Sequence, residues 1–422
     1  SKIDMEKASK QDIELLKKLI VEFKDELDAL GVKVDKIDAR LAVMEKDLGG
    51  FSMSGEFRMD AKFGNSNYEN GWYDDDATMI GKNEFDLNRY RFFIKKRVNE
   101  TTNFVARLGV DGAKNNGENG LTWERYYITT KLPYDIKLTI GKQNFDWEDD
   151  LGLYVDNDAW IGDITPNMFG FEKAWGMANM KVIFARANDD GGVLDANNVP
   201  KSYEQFLIAA NVDANFSEKF RAGLLAYYYF TDKEIMVNNV ETDHDKLTLG
   251  AYMGFAFNPN IELKGLYYMQ DLGTTVAAGY DDSPAAWKVI LDVNQEALKY
   301  TGLWLEYGQM DNNFKRNSAP YAYMGAEPLA NQLANNNTTT MMLVRADQKW
   351  NDKWSSYLRY FMADFDTAGV DDATNWTVGI GYQMNPNVSF ELAYDAIDYG
   401  TGVNNVRNGD DNIVRFRTYV TF

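Results

Sequence analysis

Residues 51–63 read FSMSGEFRMDAKF and decide the fold class of most of the chain. In this stretch, serine and charged residues alternate with five apolar residues: Phe51, Met53, Phe57, Met59 and Phe63. A period of two residues predicts a β-strand with one apolar and one charged face. The same two-faced pattern recurs up to Phe422, which indicates one long antiparallel sheet.

Fifteen further stretches repeat this alternation, and residues 169–187 read as a hairpin that folds at Ala178 and Asn179. The fifteen stretches are residues 85–98, 104–110, 123–132, 136–145, 206–216, 220–230, 247–257, 261–272, 287–293, 299–310, 341–350, 354–365, 376–384, 388–399 and 413–422. The total is 18 strands, an even number that places both ends of the chain on the side of the tight turns. If the hairpin belongs to a loop, the count falls to 16.

The connections between these strands alternate between tight turns and long loops. Tight turns are predicted at residues 99–101, 133–134, 258–260, 351–353 and 385–387, and long loops at residues 64–82, 188–203, 231–246, 311–337 and 401–410. Short turns at one edge of the sheet and long loops at the other are typical of outer-membrane barrels. The sequence has no run of about 18 apolar residues that would predict a membrane-spanning helix, but barrel strands need an apolar residue only at every second position.

The positions of the arginines distinguish between two possible all-β folds. A soluble sandwich turns its apolar faces inward, whereas a wide membrane barrel encloses water with its charged face. Nine arginines fall mid-strand in the polar register: Arg58, Arg89, Arg91, Arg107, Arg125, Arg345, Arg359, Arg415 and Arg417. Aromatic residues collect at strand ends, as in interfacial girdles: Trp123, Trp147, Trp350, Trp354, Trp376, Tyr382 and Tyr399. These features favour an all-β transmembrane antiparallel β-barrel.

Composition excludes several kinds of site. The chain has 422 residues, a net charge of -20, no Cys and one His. Without Cys there is no disulfide, thiolate metal site or cysteine nucleophile, and His244 lies in a polar stretch that reads as a loop. A single His argues against His-based metal centres and Ser-His-Asp hydrolysis. The acidic balance argues against a nucleic-acid partner.

The first 50 residues follow a different period. Apolar residues recur in alternating steps of three and four: Ile13, Leu16, Ile20, Phe23, Leu27, Leu30, Val34, Ile37, Leu41, Met44 and Leu48. This spacing predicts an α-helical coiled coil that ends near Gly49, and the residues along its seam favour three strands. An amphipathic helix lying on its own domain is the alternative. We expect two domains, a coiled-coil stalk at residues 1–50 and a barrel at residues 51–422.

The last eight residues, RFRTYVTF at 415–422, look like the terminal strand of outer-membrane barrels, which ends on Phe after alternating apolar positions. With the coiled coil in front, and with IGKQNF at residues 140–145 before an acidic loop, the chain resembles the stalked trimeric porins of outer-membraned Firmicutes. The resemblance implies a homotrimer in outer-membrane lipid, with its stalk in the periplasm, that lets small polar solutes and ions diffuse through. It also implies contact with the cell wall through an S-layer homology domain, which does not precede Ser1 in this sequence.

A carboxylate-rich connection follows the fifth predicted strand. Residues 148–168 are too many for a turn and contain six acidic residues: Glu148, Asp149, Asp150, Asp156, Asp158 and Asp163. We expect this loop to fold into the lumen and to place its carboxylates opposite the arginines, which produces a transverse field at the narrowest point. The alternative is an external loop with solvated carboxylates.

Three further interpretations are weaker. Acidic loops at residues 74–76, 189–190, 281–282 and 371–372 offer oxygen ligands for Ca²⁺, but none has the EF-hand spacing, so we expect no cofactor. A structural tether or adhesin with an anchoring barrel is the alternative function. A barrel enzyme such as a phospholipase or protease needs a His at its site, and only His244 is available, so we expect no enzyme.

Overall fold

The computed structural model describes residues 51–64, 83–113, 121–155, 159–188, 205–231, 235–237, 240–242, 245–273, 281–317, 336–398, 400 and 410–422. The predicted coiled coil and His244 lie outside the described residues. The division into a stalk and a barrel domain therefore stays a prediction. No helix among the described residues is both long enough and apolar enough to cross a membrane.

The alternating pattern forms strands throughout these residues. The strands are β1 (Phe51–Gly64), β2 (Asn83–Arg97), β3 (Thr102–Ala113), β4 (Thr122–Leu132), β5 (Ile136–Lys142), β6 (Asn167–Trp175), β7 (Ala178–Asn188), β8 (Gln205–Asn215), β9 (Phe220–Thr231), β10 (Ile235–Val237), β11 (Val240–Thr242), β12 (Lys246–Asn258), β13 (Ile261–Asp271), β14 (Ala285–Val293), β15 (Gly302–Asp311), β16 (Thr338–Lys349), β17 (Trp354–Asp364), β18 (Ala373–Asn385), β19 (Val388–Asp398) and β20 (Asp410–Thr421). Short helical turns cover Pro133–Asp135, Trp147–Asp150 and Gln295–Leu298.

Eighteen of the strands form one closed antiparallel barrel. Each strand pairs with the next, β9 pairs with β12, and β20 pairs with β1. The predicted count of 18 strands is confirmed, and the alternative of 16 is excluded. The two remaining strands, β10 and β11, pair only with each other in the connection between β9 and β12.

The terminal Phe422 joins the last strand to the first. Its backbone exchanges two hydrogen bonds with Gly55, at N···O distances of 2.7 and 3.0 Å. Its ring lies over Gly55, where a Cβ atom would collide with it, and meets the ring of Phe92 edge to face at 6.0 Å. A side chain at residue 55 would force the ring of Phe422 to move.

A bidentate ion pair joins β20 and β1 inside the barrel. The Nε and NH2 atoms of Arg417 each lie 2.7 Å from a carboxylate oxygen of Asp60, which is fully buried. Paired nitrogens and oxygens in this geometry form two parallel charge-assisted hydrogen bonds. The ion pair therefore reinforces the strand pair that closes the barrel.

We expect Asp60→Ala to destabilise the closed barrel by about 1.5–3 kcal/mol, because hydrogen bonds to charged groups contribute that much. The measurement is the urea midpoint at which the heat-modifiable band of the folded barrel disappears in gel electrophoresis. The double variant Asp60→Ala/Arg417→Ala should recover part of the loss, because it leaves no buried charge unpaired. A single variant as stable as the parent would contradict this role.

Asparagine side chains build tight turns at one edge of the barrel. The Oδ1 atom of each of Asn99, Asn258, Asn351 and Asn385 accepts a hydrogen bond from the backbone N–H two residues later, at 2.8–2.9 Å. Such a bond lets the chain reverse within very few residues. Short turns alternate with longer connections around most of the barrel, as the sequence predicts, although the connection between β14 and β15 (residues 294–301) is as long as that between β17 and β18 (residues 365–372).

One predicted turn is displaced by two residues. The hairpin of β6 and β7 folds at Gly176 and Met177 rather than at Ala178 and Asn179. Gly176 has a φ of 57°, a left-handed conformation that costs Gly little and other residues more. Gly176 rather than Ala178 or Asn179 therefore takes the turn position.

Large apolar side chains cover the outside of the barrel. Phe169, Leu224 and Val378 expose 54, 64 and 56 % of their surface. Their neighbours along each strand point inward and are much less exposed. Since exposed apolar patches of this extent are unfavourable in water, this outer surface suits the hydrocarbon core of a membrane.

Candidate functional site

The connection between β5 and β6 spans residues 143–166, and we call it the inner loop; its described residues, 143–155 and 159–166, turn into the barrel. Its two ends are joined by backbone hydrogen bonds between Phe145 and Ile164, at N···O distances of 2.9 and 3.3 Å. The Asp146 carboxylate then accepts a hydrogen bond from the N–H of Asp149 at 3.0 Å, which starts the helical turn Trp147–Asp150. Asp is favourable at this position because it satisfies an N–H that has no partner within the helical turn.

The inner loop packs against an apolar part of the barrel wall. Its side chains Trp147, Leu153, Trp160 and Ile161 are at most 4 % exposed. Against them lie inward-facing side chains of strands between β8 and β17: Leu207, Leu225, Tyr227, Tyr268, Ile290, Leu343 and Phe361. Burial of so many large side chains fixes the loop against the wall. Trp147, predicted to belong to an interfacial girdle, is instead part of this core because it lies in the loop.

Cationic side chains of the wall bind the backbone of the inner loop. Arg221 donates a hydrogen bond to the carbonyl oxygen of Leu151, and Lys264 donates one to the carbonyl oxygen of Gly152, both at 2.9 Å. These contacts satisfy carbonyl groups that the loop cannot pair internally. The loop is therefore held by polar bonds as well as by packing.

A second inward segment, residues 312–317 after β15, also contacts the inner loop. The backbone N–H of Asn317 donates to the carbonyl of Trp160 at 2.8 Å, and its side chain donates to the carbonyl of Ile161 at 2.5 Å. Sequence analysis did not find this segment. Its one signal is Phe314, an apolar residue within a polar stretch that is 1 % exposed in the structure.

Glu148 lies in a buried polar network between the inner loop and the wall. Its carboxylate accepts hydrogen bonds from the hydroxyl of Tyr154 at 2.7 Å and from the N–H of Gly162 at 2.8 Å. Lys288 lies over the ring of Tyr154 and 3.3 Å from Glu306. Burial raises the pKa of Glu148. Glu148 does not face the arginines as the sequence predicted, because it lies on the side of the loop that packs against the wall.

Ion pairs order the arginines of β2 and β3. The guanidinium of Arg91 lies 3.1 Å from Glu56 and 3.1 Å from Glu124, and Arg107 lies 2.5 Å from the same Glu124. Glu124 reaches these arginines because a β-bulge opposite Arg107 leaves it without a partner on β3. One carboxylate thereby separates two guanidinium groups that would otherwise repel each other.

A cavity of about 710 Å³ separates this wall from the inner loop, and we call it the charged cavity. Its lining places four arginines on the wall and four carboxylates on the loop: Arg89, Arg91, Arg107 and Arg125, and Asp146, Asp149, Asp150 and Asp163. Asp150 also lies 3.5 Å from Lys181. Asp156 and Asp158 lie outside the described residues. The cavity therefore lies between surfaces of opposite charge.

The other five predicted arginines lie elsewhere on the inner wall. They are Arg58 near Asp60, Arg345 at 2.8 Å from Asp347, Arg359 at 3.5 Å from Asp395, Arg415 at 3.0 Å from Glu391, and Arg417 at 2.7 Å from Asp60. Arg345 lines a separate cavity of about 440 Å³. Arg359 and Arg415 are only 5 and 6 % exposed, so their ion pairs belong to the wall itself rather than to an open passage.

Asp146 gives the charged cavity a charge that depends on pH. Burial raises its pKa from 3.8 to about 8, and the nearby carboxylates of Glu148, Asp163 and Asp149 contribute in the same direction. A carboxyl with a raised pKa is neutral below that value and negative above it. We expect cation selectivity to rise between about pH 6 and about pH 9, measured as the reversal potential in a KCl gradient.

Asp146→Asn is the matched control, because it keeps the amide oxygen that can accept from Asp149 and cannot ionise. This variant should show the low-pH selectivity of the parent at every pH in the range. The same pH dependence in parent and variant would assign the titration to another group.

The acidic loops considered for Ca²⁺ are only partly described. Residues 281–282 and 371–372 lie in described loops, and residues 74–76 and 189–190 lie outside the described part. In the described part of the chain, no group of three or more His, Cys, Asp or Glu side chains is arranged to hold a metal ion.

Comparison with known proteins identifies the fold. No family model matches the sequence, and no curated protein matches it. Among solved structures, OccK11 (OpdR) of Pseudomonas aeruginosa is 10 % identical and has a TM-score of 0.58, with 88 % of this chain and 96 % of that chain covered. OccK3 (OpdO) of the same organism is 12 % identical and has a TM-score of 0.54, with 88 and 95 % covered. The outer membrane channel DcaP of Acinetobacter baumannii is 10 % identical and has a TM-score of 0.48, with 88 and 97 % covered.

The chain has the fold of a porin barrel. At 10 to 12 % identity, this likeness concerns the fold and gives no solute, partner or assembly for the chain. The soluble sandwich is excluded, because the strands close into a single barrel with an apolar outer surface.

Proposed function

We propose that the chain is an outer-membrane porin, a water-filled channel for passive diffusion of small polar solutes and ions. The observation that carries this proposal is the charged cavity, a space inside a closed barrel with arginines on one side and carboxylates on the other. A channel needs a polar passage and an outer surface that tolerates lipid, and the lining of the charged cavity and the apolar outside of the barrel support this proposal. No bond is made or broken in such a function, so the chain would have no catalytic residue.

The mechanism rests on width and fixed charge. The inner loop fills one side of the lumen and leaves the charged cavity as the constriction. Arginines of the wall and Asp149, Asp150 and Asp163 of the loop then line the pore and set up a field across it. A dipolar solute orients in this field. An apolar solute of the same size displaces water from the charged groups without replacing its hydrogen bonds, so its entry is unfavourable.

The N-terminal segment adds an assembly role to the proposal. The heptad pattern of residues 1–50 supports a homotrimer with a stalk in the periplasm, as in the stalked trimeric porins that the sequence resembles. In such an arrangement the stalk would extend from the outer membrane toward the cell wall. Mass measurement of the detergent-solubilised protein, with and without residues 1–50, tests this role: loss of trimers on truncation supports it, and trimers without the stalk contradict it.

Recording from planar lipid bilayers tests the channel proposal. Insertion of the purified full chain into the bilayer should raise the conductance in KCl in discrete steps. Each step corresponds to the insertion of one trimer or one monomer. A protein that inserts into the bilayer without any step would contradict the channel and favour the tether or adhesin. Insertion can be followed independently by the heat-modifiable band of the folded barrel in proteoliposomes.

A further inference from the structure

Arg125 differs from the other arginines of the charged cavity. Arg91 and Arg107 each lie within 3.1 Å of a carboxylate, and Arg89 lies 3.9 Å from Glu56. Arg125, by contrast, forms no ion pair or hydrogen bond with any residue that the structure describes, and its buried Nε also has no partner there. A guanidinium presents five N–H donors in a planar fork that matches a carboxylate. Arg125 therefore lines the cavity without an ion-pair or hydrogen-bond partner among the described residues.

Asp163 lies on the loop side of the cavity and interacts electrostatically with Arg125. Its φ is 54°, a left-handed conformation that Asp and Asn tolerate better than most residues. Asn144 donates a hydrogen bond to Oδ1 of Asp163 at 2.8 Å, which fixes the direction of the carboxylate. The charged atoms of Arg125 and Asp163 do not come within the 4.0 Å of an ion pair. The two opposite charges therefore line the same cavity without forming an ion pair with each other.

We propose that Arg125 and Asp163 form a two-point binding site for zwitterionic solutes of amino-acid size, a proposal that rests on the channel function above. The solute carboxylate binds the guanidinium of Arg125, and its ammonium group binds the free oxygen of Asp163. Each contact is a charge-assisted hydrogen bond, and the two together fix both ends of the solute. A solute with only one charge makes one of these contacts and leaves the other protein charge unmatched.

The neighbouring charges favour this assignment over a simple anion site. Glu56 and Glu124 neutralise the arginines next to Arg125, so the wall does not present a large excess of positive charge. Asp149 and Asp150 on the loop repel a solute that carries only negative charge. The cavity volume of about 710 Å³ leaves room for the solute together with water.

The test is the current through single channels in dilute KCl, which limits screening, while L-alanine is added on both sides. Acetate and methylammonium serve as probes that carry only one of the two charges. We expect L-alanine to reduce the current with a saturating dependence on concentration, and the two single-charge probes to give no saturation. Arg125→Gln and Asp163→Asn should each raise the half-saturating concentration by about tenfold or more, the loss expected for one charge-assisted hydrogen bond. Asn keeps the left-handed backbone of position 163, so this variant removes the charge alone.

Arg345→Gln is the matched control, because Arg345 lies in the lumen away from the charged cavity and is paired with Asp347. This variant should leave the L-alanine curve unchanged. The two-point site would be overturned if Arg125→Gln and Asp163→Asn left the L-alanine curve unchanged. It would also be overturned if acetate reduced the current with the same saturation as L-alanine. Normal conductance steps with no effect of L-alanine would overturn the site alone, whereas absence of steps would contradict the channel function.

Discussion

A variant in which residues 147–162 are replaced by Gly-Gly is expected to conduct at least about twice the current of the parent. The helical turn Trp147–Asp150 and the buried residues Leu153, Trp160 and Ile161 are all removed in this variant. The backbone bridge between Phe145 and Ile164 is retained, so the shortened loop has a defined closure. Single-channel conductance in KCl is the measurement.

A short exposed loop provides the control. Residues 367–369, between β17 and β18, are mostly exposed and do not belong to the buried cluster around Trp160. Their replacement by Gly-Gly should leave the conductance near that of the parent. Equal conductance in all three proteins would show that the inner loop does not restrict the passage.

Trp160→Ala is expected to release the inner loop from the wall while the barrel stays closed. Trp160 is fully buried, and its ring meets that of Tyr154 edge to face at 6.0 Å and lies 5.0 Å from Lys288 Nζ. Removal of a buried Trp side chain costs about 3–5 kcal/mol, because the cavity left behind is only partly refilled. We expect frequent current fluctuations between the parent conductance and a higher level, since the loop then leaves the wall for part of the time.

Trp376→Ala is the matched control for this variant. Trp376 lies on the outer surface of β18 and is 50 % exposed. Its removal should leave the open-channel current as steady as that of the parent. If Trp160→Ala conducts as steadily as Trp376→Ala, the packing of Trp160 does not hold the inner loop.

The barrel could be predicted from the sequence because each of its strands repeats the same local rule. Alternation with a period of two, Asn-containing turns and a terminal Phe are all local patterns, and the structure confirms the antiparallel barrel of 18 strands. The pairing of β20 with β1 joins residues that are far apart in the sequence. It was nevertheless predictable, since a long sheet with an apolar outer face removes its two edges by closing.

The apolar half of the lumen was not predictable from alternation. Residues 224–230 read LLAYYYF, in which the side chains of both faces are apolar or aromatic. The structure turns Leu225, Tyr227 and Tyr229 inward, where each is at most 5 % exposed. A period of two cannot distinguish a face that contacts lipid from a face that is covered by a loop. For the same reason alternation does not show which part of the lumen wall is apolar.

Only part of the candidate site could be proposed from the sequence, since Asp146 of the charged cavity was not among the expected residues and no pairing was assigned. The sequence indicated Arg125 and Asp163 among nine arginines and six acidic residues, without assigning a partner to either. Which arginines are neutralised depends on the bulge that brings Glu124 into the lumen and on strand register. Glu148 was placed with the exposed carboxylates because nothing in its local sequence shows that Trp147 beside it is buried. Such assignments need contacts between distant residues.

The central claim is that one face of each strand meets lipid while the lumen conducts, and cysteine labelling tests it most directly because the chain has no Cys of its own. Asp150 lines the charged cavity with 65 % of its side chain exposed, and Leu224 exposes 64 % of its surface on the outside of β9. A water-soluble, cationic thiol reagent should reduce the current through Asp150→Cys channels and leave the current through Leu224→Cys channels unchanged. The account would be contradicted if the reagent changed the current through Leu224→Cys channels. It would also be contradicted if the reagent left the current through Asp150→Cys channels unchanged.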